Sequence, residues 1–326
     1  MDTNMPTAPY RAKAIPAEGE DGLFRQSWYP LCFSKEVPSG GVVGRDFLDG
    51  RVAIFRGADG SVSVVSAYCP HVGADLSIGK VVGDNLQCAF HHWEYDARGV
   101  CVKTGIGDPP PRSACLFRFP SQERWGIVWA FNGETPLFEL PTLPYGEDEV
   151  LLGNYTLPEP MRSDPWTFAA NTPDMQHIKV VHGVKFGVAD PHDLLRWNEW
   201  GLEYDVNGVH QGNKPIEWTL GLRGMFFYRH GTYDGFWCAA ITGFSLPRPG
   251  LHNVFGAYMV LKGPDAEAQL AAMKVVSERT IAEDQPLLNT IRYRPGLLTA
   301  SDKSLAKYLV LLRNWPRAHP SQPFIT

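Results

Sequence analysis

Two short loops constrain this chain more than any other feature. Cys69-Pro-His71 is followed, sixteen residues later, by Cys88-Ala-Phe-His91. Each loop brings one thiolate and one imidazole, in the same Cys-then-His order. Zinc accepts a Cys₂His₂ set, but zinc fingers place the cysteines in one pair and the histidines in another. One Cys and one His per loop suit a [2Fe–2S] centre in which one iron takes both thiolates and the other both imidazoles. A zinc clip, or unrelated core residues, is the competing reading. His92 adjoins His91, and the Cys-x-x-His spacing selects His91 as the ligand.

The sequence around these loops reads as short β-runs broken by Gly and Asp. The chain has 32 Gly and 27 Pro, a turn-rich composition that favours strands over a helical bundle. Residues 51–56 alternate as a strand, 58–60 form a hairpin turn and 61–65 return. A further strand covers 126–131, and the Pro/Leu-rich run 135–146 reads as a linker. The expected organisation is an N-terminal arm over 1–22, a metal-loop domain over 23–147 and a second domain over 148–326. The second domain opens with a strand at 151–157 and a helix over roughly 171–182. Aromatic-rich strands follow at 201–207, 216–222, 225–228, 236–245 and 252–261. A last long element with helical spacing covers 264–292.

Composition excludes several classes. At 326 residues the chain has room for two domains. Its formal net charge is −5 with no Lys/Arg run, which argues against a nucleic-acid partner. No stretch approaches the ~18–20 apolar residues of a membrane span, and the polar, Pro-rich start lacks the apolar core of a signal peptide. A soluble, cytoplasmic protein is expected. In that setting six cysteines are thiols or metal ligands rather than disulfides. Cys32, Cys101, Cys115 and Cys238 belong to no motif and are expected as buried thiols.

A second constellation is Asn171-Thr-Pro-Asp174-Met-Gln-His177-Ile-Lys-Val-Val-His182. Two histidines five apart are turned by about 140° on an ideal helix. Both reach one metal only if the helix ends or bulges between them, and the β-branched residues before Gly183 favour that. Two incidental histidines are the bland alternative. A distant carboxylate changes the balance. On the late helix Asp284 shares a stripe with Ile281, Leu288 and Ile291, whereas Glu283 is turned away by roughly 100°. A carboxylate on a buried face must be neutral, paired or metal-bound; a solvated surface Asp is the alternative. Pro286 is expected to kink this helix. Two histidines and one carboxylate make the facial triad of non-haem Fe(II) oxygenases.

The two motifs in this order resemble the catalytic α subunit of Rieske non-haem iron (ring-hydroxylating) oxygenases, over roughly Leu23 to Arg317. The first fits the family's C-x-H and C-x-x-H loops, with Trp93 in place but His92 standing where a Gly is usual and Val72 where an Arg is common. The positions of the respiratory-type disulfide are Ala74 and Phe90, so that disulfide cannot form. The second fits the family's Asn, Asp, His, His run and its late Asp. The short chain looks most like the α-only group, whose members tend to be homotrimers.

The resemblance implies an α+β fold: an antiparallel β Rieske domain followed by a helix-grip (START-like) catalytic domain with an antiparallel sheet. It implies a Rieske [2Fe–2S] cluster on Cys69, His71, Cys88 and His91, and a mononuclear Fe(II) on His177, His182 and Asp284. Asp174 would orient the His177 ring and link it, across a trimer interface, to His71 or His91 of the next subunit; Asn171 belongs to the same motif. No G-x-G-x-x-G fingerprint stands at a strand–helix junction, so electrons must come from a separate NAD(P)H-dependent reductase, with or without a ferredoxin. The expected reaction is O₂-dependent hydroxylation of an apolar or aromatic molecule, with mono- and dioxygenation and demethylation all open. The aromatic residues Phe226, Phe227, Tyr228, Phe236, Trp237, Phe244, Phe255 and Tyr258 are candidates for its pocket or for core packing. The alternative is a Rieske electron carrier fused to a non-catalytic, lipid-binding helix-grip domain.

Overall fold

The computed structural model describes residues 14–210, 213–294 and 298–326; residues 1–13 of the expected arm lie outside them. The first half is built from short antiparallel strands. Val42–Phe47, Gly50–Arg56, Val62–Ser66 and Arg118–Phe119 make one sheet, and Trp28–Phe33, Ile127–Phe131 and Ser121–Arg124 make a second. The expected hairpin closes with Arg56 opposite Val62 and Val52 opposite Ser66. A third small sheet, Lys80–Val82, Asn85–Gln87, Glu94–Tyr95 and Cys101–Lys103, lies beside the two Cys/His loops.

The second half is one antiparallel sheet. Its described strands run in the spatial order Val150–Thr156, Leu251–Leu261, Phe236–Arg248, Phe226–Tyr233, Lys214–Arg223, Gly201–His210 and Lys185–Phe186, with Arg196–Asn198 added at Gly201–His210. Among the described residues the helices α1 (Pro165–Ala169), α2 (Met175–Val180), α3 (Ala266–Leu288) and α4 (Lys303–Arg313) pack around it. In α3 the buried positions Met273, Ser277, Ile281, Asp284 and Leu288 are spaced by four, four, three and four. That is the stripe of a helix laid across a sheet, and α3 packs against Leu251–Leu261 and Val150–Thr156.

Several expectations change. The stretch 171–182 is not one helix: α2 covers only Met175–Val180. Helix α3 runs through Pro286 to Leu288, and Ile291, past its end, is 44% exposed rather than part of the buried stripe. Helix α4 was not anticipated, although Leu305, Tyr308, Leu309 and Leu312 carry helical spacing. Cys115 is exposed; Cys32, Cys101 and Cys238 are buried.

The run 135–146 is no free linker. Phe138, Leu140 and Leu143 are buried in the core of the second half, and Trp28 Nε1 donates to the Phe138 carbonyl at 2.7 Å. The strand Ile127–Phe131 is buried along its whole length. Ile127, Trp129 and Phe131 join the second-half core, and Val128 and Ala130 the first-half core, so its alternation serves both. The chain ends also return to the first half. Phe24–Arg25 pairs with Arg317–Ala318, and Ile325 is buried among Phe47, Val52 and Ile54.

Candidate functional site

The two Cys/His loops fold as matching turns. In the first, the Cys69 N–H donates to the Ala74 carbonyl at 2.9 Å and the Gly73 N–H to the Cys69 carbonyl at 2.8 Å. In the second, the Cys88 N–H donates to the Trp93 carbonyl at 2.8 Å and the His92 N–H to the Cys88 carbonyl at 3.1 Å. Each turn needs a left-handed residue at its fifth position. Gly73 supplies it at φ 82° and His92 at φ 56°. At position 92 a glycine would be unstrained, which is the physical reason a Gly is expected there; His92 bears the strain instead.

These turns sort the four candidate ligands by depth. Cys69 and Cys88 are buried and His71 and His91 are exposed. The imidazole rings face each other at 4.6 Å between centroids. Trp93 stacks on His71 at 4.4 Å and 8°, so a residue of the second loop orients a ligand of the first. Tyr95 Oη lies 3.0 Å from Cys69 Sγ. Burial pushes the Cys69 thiol up, so a bound cation is what would hold it as a thiolate at neutral pH. Two inner sulfurs and two outer imidazoles fit a two-iron cluster with unlike irons.

The second constellation forms where α2 stops. Asp174 is the N-cap of α2, its Oδ1 accepting the His177 backbone N–H at 2.9 Å. Among the described residues the contact seen for Asp174 is this one, to the main chain of His177. Because α2 ends at Val180, His182 lies beyond it and turns back, followed by Gly183 at φ 63°. The 140° problem of the ideal helix is thus removed by ending the helix. His177 Nε2 and His182 Nε2 come to 3.0 Å. Asp284 Oδ1, from α3, lies 3.3 Å from the first and 3.4 Å from the second.

Three donor atoms in a near-equilateral triangle of this size fit one metal at ~2.1 Å from each, on one face of an octahedron. Asp284 is 2% exposed and its Oδ1 has no hydrogen-bond partner. A buried carboxylate oxygen aimed at two imidazole nitrogens is satisfied by a cation between them. Burial opposes the charge on Asp284, but the His177 and His182 rings outweigh it and hold the carboxyl below its ordinary range. Around this triangle, Asn171 Nδ2 donates to Asp284 Oδ2 at 3.0 Å, and Glu283 Oε2 lies 3.6 Å from His182 Nδ1. Asn171 thus has a definite contact that the sequence motif alone did not reveal.

A cavity of about 90 Å³ opens on the triad, walled by Phe168, Val184, Trp218, Leu220, Phe227 and Ile281. Of the eight aromatic candidates, Phe227 and Tyr228 line it. Phe226, Phe244 and Tyr258 are packed into the core instead. Phe168 and Trp218 were missed, since nothing in their spacing separates cavity from core.

Comparison with known proteins bears on the fold of both halves. Residues 27–114 match the Rieske [2Fe-2S] domain family. The chain is 26% identical over 201 residues to "Cholesterol 7-desaturase nvd" of Bombyx mori, covering 57% of this chain and 43% of that protein. It is 34% identical over 140 residues to the "3-chlorobenzoate-3,4-dioxygenase oxygenase subunit" of Comamonas testosteroni, covering 40% and 32%. It spans less than half the length of these curated relatives. By structure it matches NdmA of Pseudomonas putida CBB5, solved with caffeine, at a TM-score of 0.70 and 18% identity over 88% of this chain and 89% of that one.

The class follows from these findings: the chain matches the Rieske domain over residues 27–114 and shares, through its second half as well, the fold of NdmA. Its likeness to Rieske oxygenase α subunits is therefore carried by sequence in the first half and by fold along nearly the whole chain. The cofactors that likeness implies are the Rieske cluster and a mononuclear iron. Among the described residues no helix is long and apolar enough to cross a membrane.

Proposed function

We propose that this protein is the oxygenase component of a Rieske-type system that hydroxylates an apolar or aromatic small molecule with O₂, by mono- or dioxygenation or by oxidative demethylation. The observation that carries the reading is the buried His177–His182–Asp284 triangle at the mouth of an apolar cavity, in a chain that also holds the Rieske loops. When bound, the cluster supplies single electrons and the mononuclear iron supplies O₂ activation. The chain's own residues do the rest. Asn171 holds one oxygen of Asp284 and turns the other toward the histidines. Phe168, Leu220 and Phe227 exclude water and receive an apolar substrate. His71 and His91, at the surface, offer the edge through which electrons enter and leave.

That edge is flanked by Phe90 and Val72, which are 64% and 57% exposed, and Ile106 is 88% exposed. Such a patch beside charged-metal ligands favours cover by another protein surface. A homotrimer is the proposed cover, with Asp174 linking His177 of one subunit to His71 or His91 of the next, and a separate NAD(P)H-dependent reductase or ferredoxin is the proposed donor.

The experiment is metal analysis combined with turnover. Three irons per chain, and product carrying ¹⁸O from ¹⁸O₂ when a surrogate reductase is supplied with aromatic acids, polycyclic aromatics and steroids, are expected. Two irons per chain with no O₂ consumption would instead make the protein an electron carrier fused to a binding domain.

A further inference from the structure

One cation that lines the cavity at the triad, Arg229, has no carboxylate at ion-pair distance among the described residues. Arg229 sits in the strand Phe226–Tyr233 and lines the same cavity as His177, His182 and Asp284. Its Nη2 donates to Ser277 Oγ of α3 at 3.1 Å, and its guanidinium lies 4.8 Å from the centre of the Trp218 ring. Its Nε is buried with no hydrogen-bond partner. Among the described residues no carboxylate pairs with it. The acids of neighbouring segments are paired elsewhere, Asp234 with Lys214, Asp205 with Arg196 and Glu283 with Arg279.

A guanidinium has five N–H donors and stays protonated in proteins. Burial disfavours its charge and draws its pKa down, and the Trp218 face offsets only part of that cost. Arg25, fully buried, shows what a structural role requires. Arg25 is answered by Glu18 at 2.6 Å and by the Pro16 carbonyl at 2.7 Å. Arg229 has no such answer, yet it faces a cavity where an incoming ligand could provide one. His210, in the same cavity, does not compete as a cation. Burial first, then the Arg229 charge, pushes its pKa down to about 4.

We propose that Arg229 recognises an anionic group of the substrate, and that the substrate is an apolar or aromatic acid whose carboxylate meets the Nε edge of this guanidinium. A carboxylate matches the planar fork with two parallel hydrogen bonds. The apolar body then lies against Leu220, Phe227 and Ile281, which line the cavity between the strands and α3. The assignment rests on the oxygenase reading for the fate of the bound acid, but not for its binding.

The test is binding to the iron-loaded full chain by calorimetry, with benzoate and 2-naphthoate set against benzamide and 2-naphthamide, their uncharged isosteres. At least one acid is expected to bind roughly 10–100-fold more tightly than its amide. Arg229→Met should erase that difference with little change in amide affinity. Arg229→Lys, which keeps the charge but not the fork, should keep part of it. Should Arg229→Met not fold, Ser277→Ala and Arg229→Lys give the second reading, each reducing the preference for the acid. Equal affinity for acid and amide, no binding of either acid, or a preference unchanged in the variants would overturn the proposal. The two readings fail separately. An Arg229-dependent acid preference in a protein without O₂-dependent turnover sinks the oxygenase and leaves the anion site. Turnover of neutral aromatics with no preference for acids does the reverse.

Discussion

Asn171 Nδ2 donates to Asp284 Oδ2 at 3.0 Å, joining residues 113 positions apart. This one bond takes up the outer oxygen of the carboxylate and leaves Oδ1 facing His177 and His182. Asn171→Ala should therefore loosen the iron site without touching the Rieske loops. Outer partners of metal ligands are worth roughly 10–100-fold in affinity or activity. Mononuclear iron content and turnover should fall together by that amount while the Rieske absorption and EPR stay unchanged. Full iron occupancy in Asn171→Ala would remove the positioning role.

The left-handed backbone at residue 92 separates the two adjacent histidines. His92→Gly relieves a strained position, so the variant should keep its cluster and shift stability by no more than about 1 kcal/mol. His91→Ala and Cys69→Ser should each lose the Rieske absorption and the reduced-state EPR signal. A normal cluster in His91→Ala, with loss in His92→Ala, would reverse the ligand choice.

Asp174 caps α2 through Oδ1. Asn is as good an N-cap as Asp, so Asp174→Asn preserves the helix start while removing the charge. If Asp174 also bridges subunits, both metal sites remain loaded and single-turnover electron transfer from reduced cluster to mononuclear iron falls by orders of magnitude. A near-normal rate, or full activity as a monomer, would leave Asp174 as a cap alone.

His252 carries a pH dependence of stability. It is fully buried, its Nδ1 is 2.7 Å from the Ser163 carbonyl and its Nε2 has no partner. Burial pushes its pKa down to about 4, below the ~6.5 of an unfolded histidine. The native state thus holds the neutral ring, and the unfolded state binds the proton first as pH falls. The stabilisation is present above pH ~6.5 and is lost as pH falls toward 4, by roughly 3 kcal/mol over that window. Urea midpoints at pH 7.5 and pH 4.5 should show this drop, and His252→Leu, weaker at pH 7.5, should show a shallower one.

The Rieske loops were legible because their chemistry is local. Two ligands within three or four residues leave a spacing that few other functions share, and the strand alternation and hairpin turns around them are equally local. The His177–His182 pair was only half legible. The five-residue spacing signals a metal only if the helix ends between them, and the stop of α2 at Val180 depends on how that segment packs. Asp284 could be placed on the buried stripe of α3 by periodicity, but the stripe itself was misjudged at Ile291, which lies beyond the helix.

The candidate donor residues, their order along the chain and the strand-rich character of both halves could be read before folding, because residue type, spacing and short-range periodicity are enough for those. Folding settled which oxygen of Asp284 faces the histidines, that the 135–146 run and the C-terminus lock onto the two cores, and that Arg229 lies beside Trp218 with no carboxylate paired to it among the described residues. Each of these depends on which distant segments meet, and a periodic pattern carries no record of the partner that a side chain will face.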